Sequence, residues 1–161
     1  MNFVYTDDLD GISVLLVEDE ALVAIDVKAI LEMAGGRVVG PAYSLGQGFN
    51  CADRGRINCA VLDINLHNES VFMLADVLAD RGIPIVFLSA HSLDAAPPHH
   101  RRCCLVRKPF NTFSLIQAIR TAVAGNRAPA IAVSPNRSPL YTRLGQNASR
   151  QARTGILSYG L

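Results

Sequence analysis

Five side chains of complementary chemistry stand at the ends of apolar runs. Glu18 and Asp19 follow ISVLLV (12–17), Asp63 closes NCAVLD (58–63), Ser89 closes IPIVFLS (83–89), and Lys108 follows CCLVR (103–107). Clustered carboxylates repel one another, and at least one resists ionising without a cation. A hard, oxygen-seeking dication such as Mg2+ relieves that repulsion. A carboxylate can also act as a nucleophile toward phosphorus and form an acyl phosphate. A metal and a lysine ammonium neutralise the oxygens of a phosphoryl group in transfer. A hydroxyl such as Ser89 can donate to a further phosphoryl oxygen. The set suits phosphoryl transfer to Asp63, provided that one scaffold brings the five together.

The spacing of apolar residues supplies that scaffold. After Glu20, residues Ala21, Leu22, Ile25, Ile30 and Leu31 recur at helical spacing, and Gly35–Gly36 stops the helix. RVVG (37–40) is a short strand, and the turn-rich 41–48 opens a second helix ending near Gly55. A third helix is expected over 70–79, closed by Arg81–Gly82. Asn111 is placed to cap a last helix with Phe113, Leu115, Ile116, Ile119 and Val123 on one side. Strands apolar on both faces that alternate with helices predict an α/β fold with a doubly wound, five-stranded parallel sheet. Right-handed crossovers give the flavodoxin-like strand order 2-1-3-4-5, with ligands outside the carboxyl ends of the strands. All five reactive residues then emerge from one edge.

Charge divides the chain. Residues 1–126 carry all 14 acidic and 10 basic residues, whereas 127–161 carry five arginines and no acid. The expectation is one folded domain over 1–126, followed by a basic, mostly disordered tail over 127–161. That tail is too short and too broken by Pro129, Pro135 and Pro139 for a DNA-binding output domain, so none is expected. The apolar runs are of strand length, and the acidic start (Asp7, Asp8, Asp10) lacks the basic region of a signal peptide. A cytosolic protein with no membrane partner is expected. Cys51, Cys59, Cys103 and Cys104 fit no usual zinc spacing and read as small buried apolar residues. His91, His99 and His100 read as solvated loop residues, Glu20 as a first-turn helix residue, and Phe110 as a packing residue.

VEDE (17–20), LDINL (62–66), FLSA (87–90) and KPF (108–110) together resemble the signature of receiver domains of two-component response regulators, over about residues 11–125. The resemblance implies that Asp63 is the phosphoacceptor, that Asp19 is a direct Mg2+ ligand, and that Glu18 assists through water. It implies that the backbone carbonyl of Asn65 is the third protein ligand, that Ser89 is the switch hydroxyl, and that Lys108 pairs with the phosphoryl group. It also implies a cis Lys108–Pro109 bond. Residues 17–45 and 64–91 are similar to single-domain receivers of alphaproteobacteria, which work with histidine kinases of the HWE or HisKA2 type. The implied role is a single-domain response regulator, not an enzyme. It takes phosphate from a histidine kinase and signals through a partner protein that the sequence does not name. Pairing of two copies stays open.

Two features depart from that pattern. Leu105 stands where many receivers carry an aromatic, three residues before the lysine. Only 18 residues, including Pro97–Pro98, separate Ser89 from Lys108, so a short or displaced fourth helix is expected. The weakly patterned segment 91–102 is expected to make few contacts and to sample several conformations. Two other functions share parts of the constellation. A haloacid-dehalogenase-like phosphatase also uses Asp, Ser and Lys, but it needs a second Asp where this chain has Asn65. A pseudo-receiver would bind partners without phosphorylation, which the full acidic set argues against.

Overall fold

The computed structural model describes residues 8–127 except Asn68. The expected tail over 127–161 lies, apart from Arg127, outside the described residues. The elements run β1 (Ser13–Val17), α1 (Ala21–Met33), β2 (Arg37–Ala42), α2 (Leu45–Arg54), β3 (Cys59–Asp63), β4 (Asn65–Leu66), β5 (Glu69–Ser70), α3 (Phe72–Asp80), β6 (Ile85–Ser89), β7 (Cys104–Arg107) and α4 (Thr112–Arg127). The five long strands form one parallel sheet in the order β2-β1-β3-β6-β7. Counting only the long strands, this is the expected order 2-1-3-4-5.

Period-two alternation explains why the central strands read as continuous apolar runs. Leu15, Val17, Ala60, Leu62, Ile85 and Phe87 point into the core beneath α2 and α3. Val14, Leu16, Cys59, Val61, Val86 and Leu88 point to the opposite core, which Leu31, Leu115, Ile116 and Ile119 complete. Every residue of β3 and β6 is buried. The side chains of Ser44 and Asn111 accept the backbone N–H groups of Gln47 and Ser114 and so cap α2 and α4. Phe110 is half-buried and packs on the second core, as expected.

β2 is longer than RVVG because the chain stays extended through Pro41 after a bulge. The β1–β2 register shifts between Leu15 and Val17. Gly40 lies at φ +109°, where a Cβ would stand 2.8 Å from the Leu16 carbonyl oxygen. Only glycine fits both restrictions. The bulge brings the Ala42 carbonyl to the Glu18 N–H at 2.9 Å, which fixes the end of β1.

Four expectations require correction. No α-helix follows β6. Two 3-10 turns, Leu93–Ala95 and Pro98–His100, take its place. Pro97 and Pro98 lack N–H donors and stop any longer helical ladder. The segment is also better anchored than its pattern indicates, because Leu93, Ala96 and His100 are buried and Arg101 donates to the Ala96 carbonyl at 3.0 Å. Finally, His100 is no solvated residue, and three of the four cysteines are only half-buried, Cys59 alone being fully buried. No helix among the described residues is long and apolar enough to cross a membrane.

Candidate functional site

The carboxyl ends of β1, β3 and β6 and the residue following β7 meet in one acidic pocket. Glu18 and Asp63 are buried, and Lys108 reaches between them. Its Nζ lies 2.8 Å from Glu18 Oε2, 2.8 Å from Asp63 Oδ2 and 3.5 Å from Glu20 Oε1. The Lys108 backbone N–H donates to the Ser89 carbonyl at 2.9 Å, so sheet pairing sets where the lysine enters. The Lys108–Pro109 peptide is cis. Asp63 Oδ1 accepts the Asn65 N–H at 3.1 Å, which fixes the carboxylate from its other side. Ser89 is buried, and its Oγ accepts the His91 N–H at 3.0 Å. That bond uses a lone pair, so the hydroxyl retains its capacity to donate.

Burial pushes the Glu18 carboxyl up to about 7, against the Lys108 ammonium that lowers it, and the neighbouring Asp63 charge adds to the rise. Burial alone would lower Lys108. Its bonds to Asp63 and Glu18 outweigh that and hold the ammonium above its usual value. A carboxyl that keeps its proton more tightly when folded stabilises the fold below its ordinary value of 4.5 and loses that contribution as pH rises through about 7. Glu18→Gln should therefore flatten the fall in stability between pH 5 and 8, by up to about 3 kcal/mol, in urea titrations with a chelator present. An unchanged slope would remove Glu18 as its cause.

Glu18, Glu20 and Asp63 each offer an oxygen, and these oxygens lie within 4.8 Å of one another. Glu18 Oε2 is buried, and the Lys108 ammonium, 2.8 Å away, is its one described partner. An all-oxygen, anionic set of three converging carboxylates fits a hard dication such as Mg2+. Two sequence-predicted ligands are placed differently from these three. Asp19 Oδ2 accepts the His67 N–H at 2.9 Å and pairs with His67 Nδ1 at 3.1 Å. Asn65 meets Asp63 through its N–H, and its carbonyl makes no described contact with the cluster. Glu20, read as a first-turn helix residue, instead turns its carboxylate to Lys108. The sequence reading also missed the β4–β5 hairpin. Its signal is His67, a non-glycine residue at φ 47° between two-residue strands too short for any periodicity to reveal.

A family model for the response regulator receiver domain matches residues 14–120. The chain belongs to this family. Around the receiver, similarity extends to the transcriptional regulatory protein PdtaR of Mycobacterium tuberculosis, 29% identical over 116 residues, or 69% of this chain and 56% of that protein. The receiver thus spans little more than half the length of that relative. Among solved structures, it matches the response regulator PhyR of Brucella abortus at TM-score 0.67 and 26% identity, covering 75% of this chain and 51% of that one. SdrG of Sphingomonas melonis Fr1 matches at TM-score 0.62 and 30% identity, covering 73% of this chain and 98% of SdrG. The match to receivers leaves the dehalogenase-like reading without support.

Proposed function

We propose that this receiver accepts one phosphoryl group on Asp63 from a histidine kinase and signals through a partner protein. The observation that carries the reading is the Asp63–Lys108–Glu18 triad. A buried carboxylate is held 2.8 Å from an ammonium, beside further oxygens that suit a cation. Asp63 Oδ2 is the nucleophile, and its O–P bond forms as the N–P bond of the kinase's phosphohistidine breaks and the imidazole leaves. Lys108 already sits on that oxygen and follows the negative charge onto the phosphoryl group. Ser89 lies on the adjacent strand with a hydroxyl able to donate. Bound Mg2+ would supply the positive charge that offsets the remaining phosphoryl oxygens. Glu18, Glu20 and Asp63 would offer it carboxylate oxygens once the Lys108 ammonium gives way, and Asp19 and the Asn65 carbonyl would be the further ligands that the receiver resemblance implies.

The kinase partner follows from receiver membership, and an HWE or HisKA2 type from the resemblance to alphaproteobacterial single-domain receivers. One solved relative is named an anti-anti-sigma factor, PhyR of Bartonella quintana, at 27% identity. This makes a regulator of transcription factors a reasonable class of partner to assay first. Acetyl phosphate with Mg2+ should load the protein with one phosphoryl group, released by base as expected of an acyl phosphate, as seen by intact-mass spectrometry. Chelation of the metal should abolish loading. A protein that stays unmodified with both acetyl phosphate and a phosphorylated histidine kinase would overturn the proposal.

A further inference from the structure

A second group of ligating side chains gathers away from the acidic pocket. Asp76 on α3 and His99 and His100 on the Pro98–His100 turn bring ligand atoms within 4.8 Å of one another. Both imidazole Nε2 atoms contact a single oxygen, Asp76 Oδ1, at 2.7 Å and 2.8 Å. A carboxylate oxygen only accepts, so each ring carries a proton on Nε2 in this state. The two ring centroids are 4.2 Å apart. Two neighbouring histidines and one carboxylate therefore converge on a common point.

The geometry points to a second metal site, built from two imidazoles and one carboxylate and suited to Zn2+, formed by Asp76, His99 and His100. Imidazole nitrogen with one carboxylate selects Zn2+ over Mg2+, whose preference is for oxygen. Around a tetrahedral ion with bonds near 2.0 Å, ligand atoms stand about 3.3 Å apart, so each nitrogen needs to retreat by roughly half an ångström. His99 can make that adjustment, because 47% of its side chain is exposed. His100 is the fixed member. Its ring stacks on Phe72 and meets the edge of Phe87, each at a centroid distance of 5.7 Å. To ligate through Nε2, each ring transfers its proton to Nδ1. His100 Nδ1 already faces Cys103 Sγ at 4.0 Å, which supplies an acceptor for that proton. The remaining coordination position opens to solvent beside Asp76, whose side chain is 22% exposed.

Occupancy would replace two shared hydrogen bonds by coordinate bonds and clamp the turn to α3. That clamp bears on Phe87, two residues before Ser89 in β6. The site is thus placed to stiffen the segment that follows the switch hydroxyl, giving the receiver an input separate from phosphorylation.

Calorimetric titration of the full chain with Zn2+, in millimolar Mg2+ and a phosphine reductant, tests the assignment. The Mg2+ competes with Zn2+ for the carboxylate pocket, and Asp63→Asn reports any Zn2+ held there. One Zn2+ per chain is expected, weakened at least tenfold in His99→Ala and in Asp76→Asn and unchanged in Cys104→Ser. Co2+ should give a visible absorption band that both weakened variants lose. Amide exchange across 93–103 should slow with Zn2+ in the wild type and not in His99→Ala. Thermal unfolding establishes that each variant is folded, and buried His100 is left intact. No binding would overturn the site, as would binding equal to wild type in both variants, or binding lost in Asp63→Asn or Cys104→Ser but retained in His99→Ala.

Discussion

Asp63→Asn is expected to take up no phosphoryl group from acetyl phosphate or from a phosphorylated kinase, while remaining folded. The amide nitrogen is no nucleophile, and Glu18, the other buried carboxylate of the pocket, is engaged at the ammonium rather than presented at the end of β3. The change is nearly isosteric, and the Asn65 N–H keeps an oxygen to bond. Two further consequences separate loss of the nucleophile from loss of structure. The Asp63 charge helps to raise Glu18, so Glu18 in the variant should ionise at lower pH, visible in carboxyl carbon NMR shifts. Mg2+ affinity should also fall, since one of three converging carboxylates is gone. Labelling equal to wild type would place the acceptor elsewhere and undo the proposed function.

Lys108→Ala is expected to divide metal binding from phosphoryl transfer. In the structure the ammonium occupies the centre of the carboxylate cluster, so it competes with an incoming cation for the same oxygens. Two unit charges 4 Å apart repel by about 4 kcal/mol at an effective dielectric near 20. Removing the competitor should tighten Mg2+ binding by roughly tenfold or more, after allowance for screening. Transfer should slow by about a hundredfold or more, because a fixed donor to the developing charge has been deleted. Without metal, Glu18 and Asp63 face each other uncompensated and the variant should melt early. Mg2+ should then raise its Tm by more than it raises the wild type's. Mg2+ affinity unchanged or weaker in Lys108→Ala would show that the lysine does not occupy the cation's place.

The sheet and the core of this site were legible because the same residues serve both. Apolar runs at β1, β3 and β6 end in Glu18, Asp63 and Ser89, so finding the strands locates the pocket. Parallel order then places Lys108 next to Ser89, as the backbone bond between them shows. What escaped the sequence lies where no periodicity operates. Residues 65–70 form strands of two residues each, joined through a left-handed His67 that sequesters Asp19. The turn at Pro98–His100 has no repeat to betray that His100 points inward while His99 points out. Its burial depends on Phe72 and Phe87, which are distant in sequence and reach the imidazole only once α3 lies on the sheet. Glu20 escaped for a different reason. A residue at a helix start can face the helix or the pocket, and only the position of Lys108 decides between them.

Cys59 gives this fold an internal chemical clock. It lies at the start of β3, sealed within the sheet, and burial pushes its thiol up to about 12. Only the thiolate reacts with alkylating agents, so Cys59 is silent in the native protein and becomes reactive when β3 itself is released. Cys51, Cys103 and Cys104 are half-buried at the periphery and report on smaller, local openings. One chain thus records two tiers of motion, and the slower one is written on the strand that ends in Asp63. A ligand or modification that rigidifies only the rim of the pocket would slow alkylation of the outer thiols first. One that deepens the stability of the whole domain would lengthen the lifetime of Cys59.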